Sequence, residues 1–140
     1  MTVPAGTKAA RFATFSSDHQ LGTELDLYVY KDGNLVAQAP GGWADRAVTV
    51  TQPGTYEIFI PRFTLPGPQT PDIVLNTFLV PASAAGNLTA TPASQAATAG
   101  KGVPVNVTWT GLTPGTRYFG LVEYGNGSAA LDQTYFSVLA

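Results

Sequence analysis

Leu25-Asp26-Leu27-Tyr28-Val29-Tyr30-Lys31-Asp32-Gly33-Asn34-Leu35-Val36-Ala37 is the stretch that decides the fold class of this chain. Leu25, Leu27 and Val29 fall on one side of an extended backbone, and Asp26, Tyr28 and Tyr30 fall on the other. That period of two is what a half-buried strand requires. Asp32-Gly33 then separates this run from Leu35-Val36-Ala37. Type I′ turns need positive φ at both central residues, so an Asp-Gly between two such runs predicts a hairpin.

The same grammar extends outward in both directions. Ala47-Val48-Thr49-Val50-Thr51, the punctuation Gln52-Pro53-Gly54, and Thr55-Tyr56-Glu57-Ile58-Phe59-Ile60 predict a second hairpin. Residues 9 to 16 read as a strand, and the nearly continuous apolar run of residues 73 to 80 suits a central one. Residues 61 to 71 hold Pro61, Pro66, Gly67, Pro68 and Pro71, too much proline for a sheet interior, and are expected to form a loop. Beyond the small-residue connector at 81 to 86, Leu88-Thr89-Ala90 opens another group of strands. Val103, Val105, Val107 and Trp109 share a face there, with Trp109 expected in the core. Leu112-Thr113-Pro114-Gly115-Thr116 turns into the run from Arg117 to Tyr124, and Asn126-Gly127 turns toward residues 134 to 139.

Roughly ten short strands with regular turn signals predict an all-β fold, an antiparallel β-sandwich of jelly-roll or fibronectin-like type. A tail of about 55 residues without a disulfide is marginal as a free-standing domain, so a single sandwich over 1-140 is expected. The alternative is two modules, 1-80 and 84-140.

Composition narrows the function classes. In 140 residues, 44% are hydrophobic and 11% charged, which supplies a core but few ion pairs. A net charge of −2 offers no basic stripe, so nucleic acid is not an expected partner. The absence of cysteine removes disulfides, thiolate nucleophiles and cysteine-based zinc sites together. The opening Met1-Thr2-Val3-Pro4-Ala5-Gly6-Thr7 has neither the basic start nor the apolar run of a signal peptide, and it reads as the middle of a longer protein. No stretch approaches the length of a membrane-spanning helix, and no membrane partner is expected.

Val3-Pro4-Ala5-Gly6-Thr7, Asp26-Leu27-Tyr28-Val29-Tyr30-Lys31-Asp32-Gly33 and Pro53-Gly54-Thr55-Tyr56 resemble the pre-peptidase C-terminal family of β-sandwiches. Together with Gly86-Asn87-Leu88-Thr89-Ala90-Thr91-Pro92 and Trp109-Thr110-Gly111-Leu112-Thr113-Pro114-Gly115-Thr116, the chain resembles the C-terminal accessory domain of bacterial secreted subtilisin-like serine proteases. Its tail also resembles fibronectin type III-like folds. The resemblance implies a secreted, extracellular, non-catalytic domain whose first partner is the catalytic domain of the same polypeptide, with a protein or polysaccharide substrate as the second. It carries no binding specificity, because sandwich folds host many functions.

The residues with chemical potential are few. His19 stands in Ser16-Ser17-Asp18-His19, a polar loop that lacks the separated segments from which a hydrolytic triad is normally assembled, so no catalytic residue is expected. Asp18, Glu24, Asp26 and Asp32 are candidate calcium ligands, since calcium takes oxygens from carboxylates, carbonyls and water on irregular backbone. The competing reading makes Glu24 and Asp26 the solvent face of a strand, with no cofactor. Trp43, in Gly41-Gly42-Trp43-Ala44-Asp45, and Tyr28 and Tyr30 are candidate carbohydrate-contacting aromatics, with Trp43 alternatively a plug over the end of the sandwich. Arg117, Phe119, Leu121 and Glu123, with Phe59 on another strand, form a candidate interface. A sandwich strand ordinarily keeps one face polar, and here both faces carry apolar groups. Asn87, Asn106 and Asn126 match the glycosylation pattern, read here as a coincidence of threonine-rich sequence. The expected function is a non-catalytic C-terminal domain of a secreted subtilisin-like protease that supports stability or substrate approach. An independent carbohydrate- or polymer-binding module and a calcium-stabilised sandwich are the alternatives.

Overall fold

The computed structural model describes residues 1–64, 72–84 and 87–140. Parts of the expected loop at 61 to 71 and of the connector at 81 to 86 lie outside these residues. Among the described residues the regular structure is strand, apart from one 3-10 turn at Ser16–Asp18, and the strands pair antiparallel. The fold is all-β. Its contacts divide into two units, Met1–Ala82 and Ser83–Ala140.

The first unit holds β1 (Thr2–Val3), β2 (Thr7–Thr14), β3 (Glu24–Leu25), β4 (Leu27–Lys31), β5 (Asn34–Ala39), β6 (Arg46–Val50), β7 (Gly54–Thr55), β8 (Glu57–Phe59), β9 (Arg62–Thr64) and β10 (Asn76–Pro81). Two three-stranded sheets dominate it, in the orders β10-β2-β6 and β5-β4-β8. Short pairs join β1 to β7 and β3 to β9. Val3, Ala10 and Phe12 of β2, Leu27 and Val29 of β4, Val48 and Val50 of β6, and Tyr56 form one buried cluster. Ala37 and Ala39 of β5 and Ile58 of β8 pack against it, so the inner faces of both sheets meet in a shared core. Phe12 and Tyr56 lie with ring centroids 6.1 Å apart inside it.

The opening run behaves as its periodicity predicts. Leu25, Leu27 and Val29 are fully buried, and the β4–β5 hairpin turns through Asp32 at φ 52° and Gly33 at φ 75°, the paired positive values of a type I′ turn. Asn34 braces the turn by donating from its side-chain amide to the Asp32 carbonyl at 3.0 Å.

Three expectations of strand placement are corrected. The second hairpin does not form: β6 pairs with β2, and β8 pairs with β4, so the chain between them passes from one sheet to the other. Pro53-Gly54 punctuates a crossing between layers, and Tyr56 secures it by donating from its hydroxyl to the Gln52 carbonyl at 2.7 Å. The apolar run at 73 to 80 supplies β10, which lies outside β2 in its sheet. The central place belongs to β2, where Ala9, Ala10, Phe12 and Ala13 are all fully buried. Alanine allows close cover on both sides of a strand, which hydrophobicity alone does not reveal. Finally, β9 is a strand inside the stretch expected to be a loop.

The second unit holds β11 (Leu88–Thr91), β12 (Asn106–Trp109), β13 (Arg117–Gly125) and β14 (Ala130–Leu139), paired as β11-β12 and β13-β14. The β13–β14 turn is stapled by Asn126, whose Oδ1 accepts from the backbone N–H groups of Ser128 and Ala129, both at 3.1 Å. Every described residue of this unit keeps part of its surface in solvent. Trp109, expected in the core, is 43% exposed. A ribbon of two four-residue strands offers too little cover for an indole.

Candidate binding face of the first unit

Register determines which side chains share the outer face of the β5-β4-β8 sheet. Tyr28 is opposite Gln38 on one side and Phe59 on the other, and Tyr30 is opposite Leu35 and Glu57. The two rows are therefore Gln38-Tyr28-Phe59 and Leu35-Tyr30-Glu57. Tyr30 and Phe59 meet diagonally in an edge-to-face pair, with centroids 5.4 Å apart and planes at 82°. Phe59 is 54% exposed and Leu35 45%. The inner face of this sheet is already filled by Val29, Ala37 and Ile58, so an aromatic cluster left facing outward is a contact surface in waiting.

Asp26 ties this face to the neighbouring loop. It is buried, not on the solvent side as its place in the alternation suggests, because the strand breaks between β3 and β4. Its Oδ2 accepts from the Tyr28 hydroxyl at 2.9 Å and its Oδ1 from the Gly41 backbone N–H at 2.8 Å. The Trp43 carbonyl accepts from the Leu25 N–H at 3.4 Å, so the loop carrying Trp43 is held by its backbone beside β3. Trp43 does not plug the sandwich; its side chain is largely exposed, since the loop's anchors are main-chain groups and Asp26. Arg46 lies beneath, donating from Nε to the Leu25 carbonyl at 2.8 Å. Gly41 sits at φ 152°, which L side chains rarely adopt, and a Cβ there would lie 2.5 Å from Arg46 Nη2, so the guanidinium would have to move. Gly41→Ala should therefore cost about 1–3 kcal/mol in thermal or denaturant unfolding, from strain and displacement of the guanidinium.

The tyrosines divide by environment. The hydrogen bond to the Asp26 carboxylate, followed by desolvation and the charges of Asp26 and Tyr30, raises the Tyr28 phenol above its ordinary 10.0. Burial, then the charge of Asp32, raises Tyr56. Tyr118 is lowered, chiefly because the Thr113 N–H donates onto its oxygen at 2.9 Å. For Tyr28 and Tyr56 the folded value exceeds the unfolded one. Their contribution to stability is thus complete below pH about 10 and is lost as pH rises through the folded values. Spectrophotometric tyrosinate titration should show these two ionising after Tyr118, and Asp26→Asn should move Tyr28 earlier. An unmoved titration curve would refute the assigned hydrogen bond.

The remaining candidates lie elsewhere. His19 accepts at Nε2 from the Val74 N–H at 3.1 Å, which leaves Nδ1 to donate to the Phe15 carbonyl at 2.8 Å. Ser16 gives its N–H to Asp45 Oδ1 at 3.0 Å and its hydroxyl to Oδ2, and Asp18 Oδ2 accepts from the Asn76 amide at 2.9 Å. His19 and Asp18 thus stitch their loop to the start of β10, and Ser16 ties it to the approach of β6. Of the calcium candidates, Asp18 is thus engaged there, Glu24 lies on β3, Asp26 serves Tyr28 and Gly41, and Asp32 occupies the β4–β5 turn. Among the described residues no three His, Cys, Asp or Glu side chains come together as a metal-binding group.

In the second unit, register places Arg117, Phe119, Leu121 and Glu123 on one face of β13 opposite Leu139, Ser137, Tyr135 and Gln133 of β14. Phe119 stacks on Tyr135 with centroids 5.6 Å apart and planes at 17°. Phe59, grouped with this strand on sequence grounds, belongs to the aromatic row of the first unit. Phe63, 64% exposed on β9, escaped sequence reading because proline dominates its surroundings. Comparison of the chain with protein-family models, with curated proteins and with solved structures gives no match.

Proposed function

We propose that the chain is a non-catalytic accessory domain of a secreted subtilisin-like protease, and that it supports the approach of substrate through the outer face of the β5-β4-β8 sheet. The observation that carries this reading is the group of Tyr28, Tyr30 and Phe59, set on paired strands of one sheet and left outward. Supporting it, the single histidine and Ser16 are engaged in holding loops, which is structural work. A second role, packing on the catalytic unit, is favoured by the β13–β14 face, where Phe119, Leu121 and Tyr135 cluster between Arg117 and Glu123.

Removing these residues from the full-length enzyme separates the two roles. Loss of activity on an insoluble polymer with unchanged cleavage of a small peptide supports substrate approach. A shortened thermal half-life with both activities intact supports packing. If neither quantity changes, the accessory-domain reading fails.

A further inference from the structure

The aromatic row has a chemistry beyond its exposure, and the following rests on the accessory-domain reading. We infer that the outer face of β5-β4-β8 binds an uncharged polysaccharide, lying across Tyr28, Tyr30 and Phe59 and hydrogen-bonded by Gln38 and Glu57.

A sugar ring offers an apolar C–H face bordered by hydroxyl groups, so its receptor needs outward aromatic side chains with hydrogen-bonding groups at the border. Both are present. Ring surface comes from Tyr28 and Tyr30 in the middle strand and Phe59 in the flanking strand. Gln38 and Glu57, both exposed, lie at opposite corners of the two rows, one on β5 and the other on β8. Gln38 supplies an amide donor and acceptor, and Glu57 a carboxylate acceptor.

Charge narrows the class further. The charged side chains that register puts on this face are Glu57 and, buried beneath it, Asp26. A uronate or sulfated polymer would be repelled, and no cation on these rows would neutralise it. The surface is also ordered in advance: Tyr30 and Phe59 hold each other edge to face, and the Tyr28 hydroxyl is fixed by Asp26. Little side-chain freedom is then lost on binding. A sheet face, being flat, suits an extended chain that runs past it.

The test is adsorption of the 140-residue chain to insoluble cellulose and chitin, with alginate gel and fibrous collagen as comparators. The expected result is retention on at least one of the two uncharged polysaccharides. Tyr30→Ala and Phe59→Ala should each weaken that retention about tenfold or more, whereas Trp109→Ala leaves it unchanged. Thermal melting of each variant shows that it is folded, and the milder Gln38→Ala and Glu57→Gln should weaken binding without moving the melt. Retention on collagen alone, on alginate alone, or on none of the four would overturn the inference. So would retention indifferent to Tyr30 and Phe59. These outcomes leave the accessory-domain reading standing, because that reading is decided by deletion in the full-length enzyme.

Discussion

Replacing Phe12 by alanine should destabilise the first unit by about 3–5 kcal/mol, the largest loss expected from any single truncation in the chain. Phe12 is fully buried on β2, the middle strand of its sheet, and its ring meets Tyr56 across the core. The space it vacates is bounded by main chain paired on both sides, at Thr77 of β10 and Val48 of β6, so the walls cannot close in. Domains of this size have about 5–15 kcal/mol in hand, so the variant should melt far earlier or fail to fold. Val48→Ala, at the rim of the same cluster, should cost less. Equal losses at the two positions would mean that the core is not centred on β2.

The second large effect concerns Asp26. Asp26→Ala leaves the Tyr28 hydroxyl and the Gly41 N–H without their shared acceptor, and about 2–4 kcal/mol of stability should go with it. Asn at the same position keeps one oxygen for Gly41 and presents an amide that the Tyr28 hydroxyl can accept, so Asp26→Asn should fall between the two. The loop bearing Trp43 should loosen in the same order. In a Trp109→Phe background the fluorescence of Trp43 reports this directly, as increased quenching by acrylamide. Stability loss without any change at Trp43 would show that Asp26 does not position the loop.

Asp26 also marks where sequence reading succeeds and where it stops. The period-two alternation of Leu25, Leu27 and Val29, and the backbone demand of Asp32-Gly33, are local properties, and both appear in the structure as written. Pro53-Gly54 was equally legible as a break, but whether the chain returns beside its own strand or crosses to the other sheet depends on partners distant in sequence. Here β4 captured β8. The burial of Asp26 depended on a strand break and on a loop 15 residues away, neither of which has a periodic signature. Of the candidate site, Tyr28 and Tyr30 were visible as an outward pair. Phe59 was assigned to another surface, because only register brings it to Tyr28. Trp109 misled for the opposite reason: three valines around it gave the pattern of a core, and the indole lies on a two-stranded ribbon that leaves it 43% exposed.

These contrasts bear on function. The outward aromatics of the first unit stand on a sheet whose inner face is already filled, so they are not waiting for the unit's own core. The apolar face of β13–β14 belongs to a unit in which none of the described residues is fully buried, which is the more natural profile for a packing surface.

The assignment of the working surface is tested most directly by an amide NMR titration of the chain with a soluble oligosaccharide of cellulose or chitin. The proposal predicts shift changes concentrated on β4, β5 and β8, strongest at Tyr28, Tyr30, Gln38 and Phe59, and needing about tenfold more ligand in Phe59→Ala. Changes confined to β13 and β14, or a spectrum unaltered at saturating ligand, would contradict it.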